Sequence, residues 1–433
     1  MASGLKVGAD PYLPRHGNDG YRTTRYDLEL DYRAGPGRLS GRATISATAD
    51  RTLAELSLDL GMFQVEQVLV DGARARYSHR NGKLRIRPAS ALRAGRPFTV
   101  TVRYEGAPRA IPSRWGDLGW ERLDDGALVA SQPTGAPSWF PCNDHPADKA
   151  AYRIALTTAS RFTVVANGSL VSRSTAAGRT TWVYEQPAPM STYLATVQIG
   201  RYAQVDLAAG PVPQRAAVPP RLLATATHDF ARQPEMMTTF ERLFGPYPFG
   251  EYAVVVVDEE LDVPVEAHGL SIFGTNHVDG RRGSERLVAH ELAHQWFGNS
   301  LTVADWRHIW LNEGFAKYAE WLWSELSGGE PAAMHAARSR RLLAGLPQDL
   351  RVADPGVRRM FDDRVYQRGA LTLHALRTLI GDASFFALVR DWTQTNQNGT
   401  VTTSQFTALA QHHSSRPLDD LFTAWLHEPA LPL

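Results

Sequence analysis

The stretch Arg286–Ser300, RLVAHELAHQWFGNS, sets two histidines four residues apart, with a glutamate directly after the first. Ser284 is a suitable N-cap and Gly298-Asn299 a suitable stop, so the pattern predicts a helix from Ser284 to about Phe297. Residues i and i+4 share one helix face roughly 6 Å apart, which lets His290 and His294 present both imidazoles to one ion. Glu291 projects to the rim of that face, within reach of a water held by the ion. The same spacing also suits two ordinary helix histidines, at the surface or in the core. The stretch alone does not separate the two.

A hydrolytic metal centre needs a third protein ligand and an open position for water. Glu313, in WLNEGFAKYAE (Trp310–Glu320), is the next candidate, with eighteen residues between it and His294. A helix, a loop and a returning helix would bring it beside the histidine pair. A lone glutamate is usually solvated, yet this one lies among Trp310, Leu311 and Phe315, where exposure is unfavourable.

HELAHQWFGNSLT followed by WLNEGFAKY resembles the zinc-binding signature of the aminopeptidase N family of gluzincins, which includes the leukotriene hydrolase/aminopeptidase. The resemblance implies one zinc per chain on His290, His294 and Glu313, with Glu291 as general base. It also matches Glu320, seven residues after Glu313 and on the same helix face, as a partner that orients one zinc histidine.

Three further segments carry the resemblance. VPVEAHGL (Val263–Leu270) is similar to the family's Gly-x-Met-Glu-Asn segment and implies that Glu266 anchors the α-ammonium of a substrate. Val263, Val265, Ala267 and His268 depart from the family's glycine, methionine, asparagine and tryptophan, so side-chain specificity does not carry over. SQPTGAPSWFPCNDHPADKAAY (Ser131–Tyr152) places Gln132 nine residues before Pro141. The family match implies a second amine contact there, and a contribution of the N-terminal β domain to the active site. VYQRGALTLHAL (Val365–Leu376) implies Tyr366 as the donor that stabilises the tetrahedral transition state. Taken alone, Tyr366 reads as a half-buried packing residue and Gln132 as a loop surface residue.

Composition agrees with such an enzyme and excludes other classes. The 433 residues are 43% hydrophobic and 21% charged, with a net charge of +1, which fits a globular chain of roughly two to three domains. That balance gives no reason to expect nucleic acid or an acidic membrane as partner. The single cysteine, Cys142, excludes an intramolecular disulfide and any multi-cysteine metal site. No signal-peptide pattern opens the chain and no run approaches about 18 apolar residues, so a cytoplasmic enzyme is expected. Only four of the 46 basic residues are lysine, a skew typical of high-GC bacterial genomes.

Up to about residue 205 the chain reads as short alternating strands, among them TRYDLELDY, GRATISATA and PFTVTVRYEG, punctuated by AGPG, DG and NG turns. AAGPVPQRAAVPP (208–220) reads as a linker or irregular crossing, and EYAVVVVDEE as a buried strand. Further helices are expected over Ile309–Leu326, Arg364–Leu379 and Asp419–Trp425. The expected fold is multidomain α+β, with an N-terminal antiparallel β saddle or sandwich over 1–205. A thermolysin-like, mostly α zinc-peptidase domain follows over 206–433, in a short form without the C-terminal helical domain that many relatives carry. The expected function is a zinc metalloaminopeptidase that takes peptides with a free N-terminus and hydrolyses by attack of a zinc-bound water. A zinc endopeptidase or epoxide hydrolase on the same site, and more distantly a non-catalytic zinc-stabilised binding protein, are the alternatives.

Overall fold

The computed structural model describes residues 10–432. Its contacts fall into two compact units. One comprises the chain up to Val205 with Arg215–Leu223 and Gly250–Thr275, and the other Asp206–Gln214, Ala224–Phe249 and Asn276 onward.

The first unit is built on an eight-stranded sheet. Its centre pairs Tyr21–Arg33 with Arg38–Ala49 and with Ala150–Ala159. Alternation of buried and exposed residues along Tyr21–Arg33 and Arg38–Ala49 puts one face of these strands into the core. Tyr26 stacks on Tyr152 with ring centroids 4.9 Å apart, and Phe140 meets Tyr26 edge-on at 5.5 Å. The antiparallel expectation fails where Tyr21–Arg33 and Ala150–Ala159 run parallel. More than a hundred residues join them, so no hairpin dictates their direction.

Three strands of a smaller sheet in this unit carry the Glu266 segment. Tyr252–Val256 runs parallel to Leu270–Phe273, which pairs antiparallel with the edge strand Val265–Ala267. Gly269, at φ +76°, makes the turn between the last two. The stretch expected to be a linker contains a strand, Gln214–Val218, because its small apolar residues Ala216, Ala217 and Val218 are buried.

Helices follow in chain order: α1 (Leu223–Asp229), α2 (Gln233–Phe244), α3 (Glu285–Ala293), α4 (Trp310–Leu326) and α5 (Ala332–Ala344). Then come α6 (Asp363–Ile380), α7 (Asp382–Thr395), α8 (Thr403–His412) and the single turn α9 (Asp419–Phe422), which continues as a π-helical turn over Thr423–His427. Among the described residues no helix is long and apolar enough to cross a membrane.

The core of the second unit is aromatic. Trp296 lies edge-on to Phe240, Phe244 and Tyr247, and its indole Nε1 donates to the carbonyls of Gly245 and Pro246 at 3.1 Å. Phe297 stacks on Phe315 of α4 at 4.2 Å and 15°. Burying such a ring contributes on the order of 2–3 kcal/mol, so the segment just after His294 is fixed to both α2 and α4.

Helices α4 and α6 approach at a pair of glycines. A Cβ built on Gly314 would lie 2.9 Å from Gly369 Cα, and one on Gly369 2.8 Å from Gly314 Cα. Gly314 follows Glu313, and Gly369 lies three residues after Tyr366, so this contact sets the distance between the turns that carry both side chains. Gly369→Ala gains up to about 1 kcal/mol of helix propensity, against roughly 1–3 kcal/mol for forcing a methyl into packed backbone. Gly369→Ala is therefore expected to lower the urea unfolding midpoint by the equivalent of up to about 2 kcal/mol. A midpoint at or above wild type would show that the helices separate without cost.

Candidate active site

Helix α3 ends earlier than the sequence suggests. Its last residue is Ala293, with His294 at the C-cap, and Gln295 and Trp296 bond back three residues to Leu292 and Ala293. The tightening has a local cause: His294 Nδ1 meets the Phe297 carbonyl oxygen at 2.9 Å, which requires the chain to curl under the ring. Gly298 then turns away at φ +120°. Ser284 occupies the N-cap position without a side-chain cap hydrogen bond.

The second unit brings His290, His294 and Glu313 together. One ligand atom from each lies within 4.8 Å of the others, and all three residues are buried. Glu313 Oε2 stands 3.6 Å from His290 Nε2 and 3.4 Å from His294 Nε2. Charge-assisted hydrogen bonds are shorter, about 2.7–2.9 Å. Ligands at roughly 2.0–2.1 Å around a tetrahedral zinc stand about 3.3 Å apart, close to the observed spacing. Each imidazole also has its Nδ1 engaged on the outer side, by Glu320 Oε1 at 2.9 Å for His290 and by the Phe297 carbonyl for His294. With those nitrogens protonated as donors, both Nε2 lone pairs face Glu313. The residues fit a zinc ion in geometry and in tautomer.

Glu291 follows His290 on α3 and is 3% exposed. Tyr366, in the first turn of α6, is half-buried and lies nearly parallel to the His290 ring at 6.1 Å and 19°. Glu313 opens α4, where the helix N-terminus favours an acidic side chain. Burial opposes its ionisation, but the charges of His294 and His290 facing it outweigh burial and pull its pKa down.

Glu320 touches His290 as the sequence suggests. Burial again opposes charge, and the hydrogen bond from His290 with the His290 and Lys317 charges overcomes it, leaving a pKa of about 2. Its second oxygen meets Lys317 Nζ at 2.9 Å and Arg286 Nη1 at 3.4 Å. Sequence reasoning missed these two cations. The available signal was spacing: Arg286 is one turn before His290, and Lys317 is i+4 from Glu313 and i−3 from Glu320. Two histidines outside the cluster are held by other partners: His308 Nδ1 meets Thr403 Oγ1 at 3.0 Å and His374 Nδ1 meets Tyr318 Oη at 3.3 Å.

Glu266 and Gln132 belong to the first unit and meet there. Gln132 Nε2 donates to Glu266 Oε1 at 2.6 Å, and Glu266 is 6% exposed. That bond fixes the amide, so Gln132 offers its carbonyl oxygen as a second acceptor beside the carboxylate.

Two histidines and a glutamate around one ion position, with a buried glutamate adjacent, define a zinc-peptidase type of site. A family model described as the peptidase M1 N-terminal domain matches residues 22–194, and one described as the peptidase family M1 domain matches residues 229–425. The chain belongs to peptidase family M1. A crystal structure of a two-domain M1 zinc metallopeptidase bound to L-tryptophan is 30% identical, with 98% of each chain covered and a TM-score of 0.90. One of an M1 zinc metallopeptidase from Deinococcus radiodurans, bound to the substrate Tyr-Ser-Ala, is 29% identical at the same coverage and TM-score. Leucine aminopeptidase 2 of Eremothecium gossypii is 27% identical over 88% of this chain, which spans 63% of that relative's length.

In the metal-free protein, burial disfavours a charged His290, but the facing carboxylates of Glu313 and Glu320 prevail and raise its pKa to about 9. Only the neutral imidazole ligates, so a proton competes with the metal below that value. Zinc affinity, measured against a competing chelator from pH 6 to 9, is expected to fall roughly tenfold per unit as pH drops. A flat profile would contradict it. Glu320→Gln removes the partner that orients His290 and should weaken zinc binding roughly 10–100-fold.

Proposed function

We propose that this chain is a zinc-dependent aminopeptidase that removes the N-terminal residue from peptides. The observation that carries the proposal is the convergence of His290 Nε2, His294 Nε2 and Glu313 Oε2, with both Nδ1 atoms engaged from outside. Zinc, held by these three residues, supplies a Lewis acid that polarises the scissile carbonyl and makes water acidic.

The rest is done by the chain's own side chains. Glu291, buried beside His290, takes the proton of the attacking water and later delivers it to the leaving amine. The Tyr366 hydroxyl donates a hydrogen bond to the carbonyl oxygen as negative charge develops there. Glu320 holds His290 in the ligating tautomer. Glu266 and the Gln132 amide oxygen accept from the free α-ammonium, which distinguishes an exopeptidase from an endopeptidase. The hydrogen bond between Gln132 and Glu266 supports that pairing, as do relatives named as aminopeptidases. A division near residue 205, β domain before and catalytic domain after, is part of the same proposal, and the two family models fall on either side of it.

Glu291→Gln is expected to keep full zinc occupancy by elemental analysis and to lose about 10²–10⁴-fold in kcat. Retained turnover would remove Glu291 from its role. Glu266→Ala should raise KM and lower kcat for free-amine substrates. An undiminished preference for free over N-acetylated substrates in that variant would refute the anchor.

A further inference from the structure

Tyr366 lies in the first turn of α6, where backbone N–H groups have no partner in a preceding turn. Its place is therefore set by what grips the residues just after it. Gln367 Oε1 accepts from Ser339 Oγ of α5 at 2.6 Å, and Gly369 meets Gly314 of α4. Arg368 supplies the third grip. Residues two apart on a helix point about 200° apart, so its side chain leaves the back of the turn whose front carries Tyr366.

Arg368 is 4% exposed, and burial lowers its pKa to about 10. Five backbone carbonyls accept from its two terminal nitrogens. Nη2 donates to Ala424 at 2.8 Å, Glu428 at 2.6 Å and Ala430 at 2.9 Å. Nη1 donates to Pro429 at 2.7 Å and Leu350 at 3.3 Å. Four of these carbonyls lie on the segment Ala424–Ala430, which begins in the π-helical turn and runs on through Pro429. The last carbonyls of a helical turn have no partner within it and favour a cation. Other contacts fasten the same stretch: the Leu426 carbonyl accepts from Ala353 N at 3.0 Å, and Leu431 N donates to Gln348 Oε1 at 2.7 Å. The stretch is a fixed wall behind α6, and Arg368 links that wall to the Tyr366 turn.

We propose that Arg368 is a positioning residue for hydrolysis: by clasping Ala424–Ala430 to the back of α6, it fixes the turn that aims the Tyr366 hydroxyl. The inference rests on the reading that Tyr366 donates to the carbonyl oxygen in the transition state, and adds the residue that holds it there. A guanidinium suits the task because its planar fork fixes several acceptors at once, whereas an ammonium offers three donors from one point. Misplacing a reacting group by about 1 Å costs on the order of 10²-fold in rate, so loss of the clasp reaches kcat without any contact to the substrate. His290, His294 and Glu313 come from α3, its C-cap and α4, so zinc content does not depend on the clasp.

The test compares kcat and KM for Leu-p-nitroanilide in zinc-loaded wild type, Arg368→Met, Arg368→Lys, Tyr366→Phe and the two double variants. Arg368→Met is expected to keep its zinc, to hold KM within about twofold and to lose about 10–100-fold in kcat. Arg368→Lys should recover part of that loss. In the Tyr366→Phe background the same substitutions should cost less than about twofold, because the hydroxyl they misplace is already gone. A residue that merely supports the fold lowers kcat by one factor in both backgrounds, and that result would overturn the inference. If the methionine protein does not fold, the lysine protein decides: a loss of about three- to tenfold that vanishes in the Tyr366→Phe background supports the clasp, and an undiminished kcat contradicts it. Undiminished kcat in Tyr366→Phe alone would instead refute the role given to Tyr366.

Discussion

The Glu313 carboxylate is 2% exposed, and a buried charge without partners costs several kcal/mol. Much of the second unit can be understood as the means of compensating it. His290 and His294 face Glu313 from α3. They can do so only because Glu320 and the Phe297 carbonyl hold their far sides. Phe297 in turn is stacked on Phe315, two residues beyond Glu313. The Gly314–Gly369 contact then brings the turn carrying Tyr366 against the turn carrying Glu313. Each element constrains the next, so the spacing at the metal position is fixed by packing before a metal arrives.

The histidine pair and Glu291 were legible in the sequence because the relation among them is local, one turn of helix with caps on either side. Glu313 was legible through its spacing and its aromatic flanks. The end of α3 was not, since Gly298 reads as a stop while the actual terminus is set by a ring nitrogen reaching Phe297. The glycine contact joins residues 55 positions apart and leaves no periodic trace. Gln132 and Glu266 were found through family resemblance only, as nothing in a Pro/Gly-rich loop marks one glutamine as the partner of a glutamate 134 residues away. The parallel strand pair in the large sheet was missed for a similar reason, because alternation reports burial and not direction.

Departures from the family pattern cluster beside Glu266. His268 is fully buried in the first unit, and its carbonyl accepts from Asn167 Nδ2 at 3.0 Å. Burial and then the Lys149 charge push its pKa well below the usual histidine range, so it is a neutral ring. Val263, in contrast, is 66% exposed. The segment beside Glu266 is therefore built differently from that of relatives with the usual residues.

Adding zinc to metal-free protein while following hydrolysis of Leu-p-nitroanilide beside its N-acetyl counterpart separates a zinc aminopeptidase from its alternatives. Activity on the free amine should rise to a plateau at one zinc per chain while the acetylated compound stays uncut. Equal cleavage of the two compounds, or full activity before zinc is added, would contradict the account.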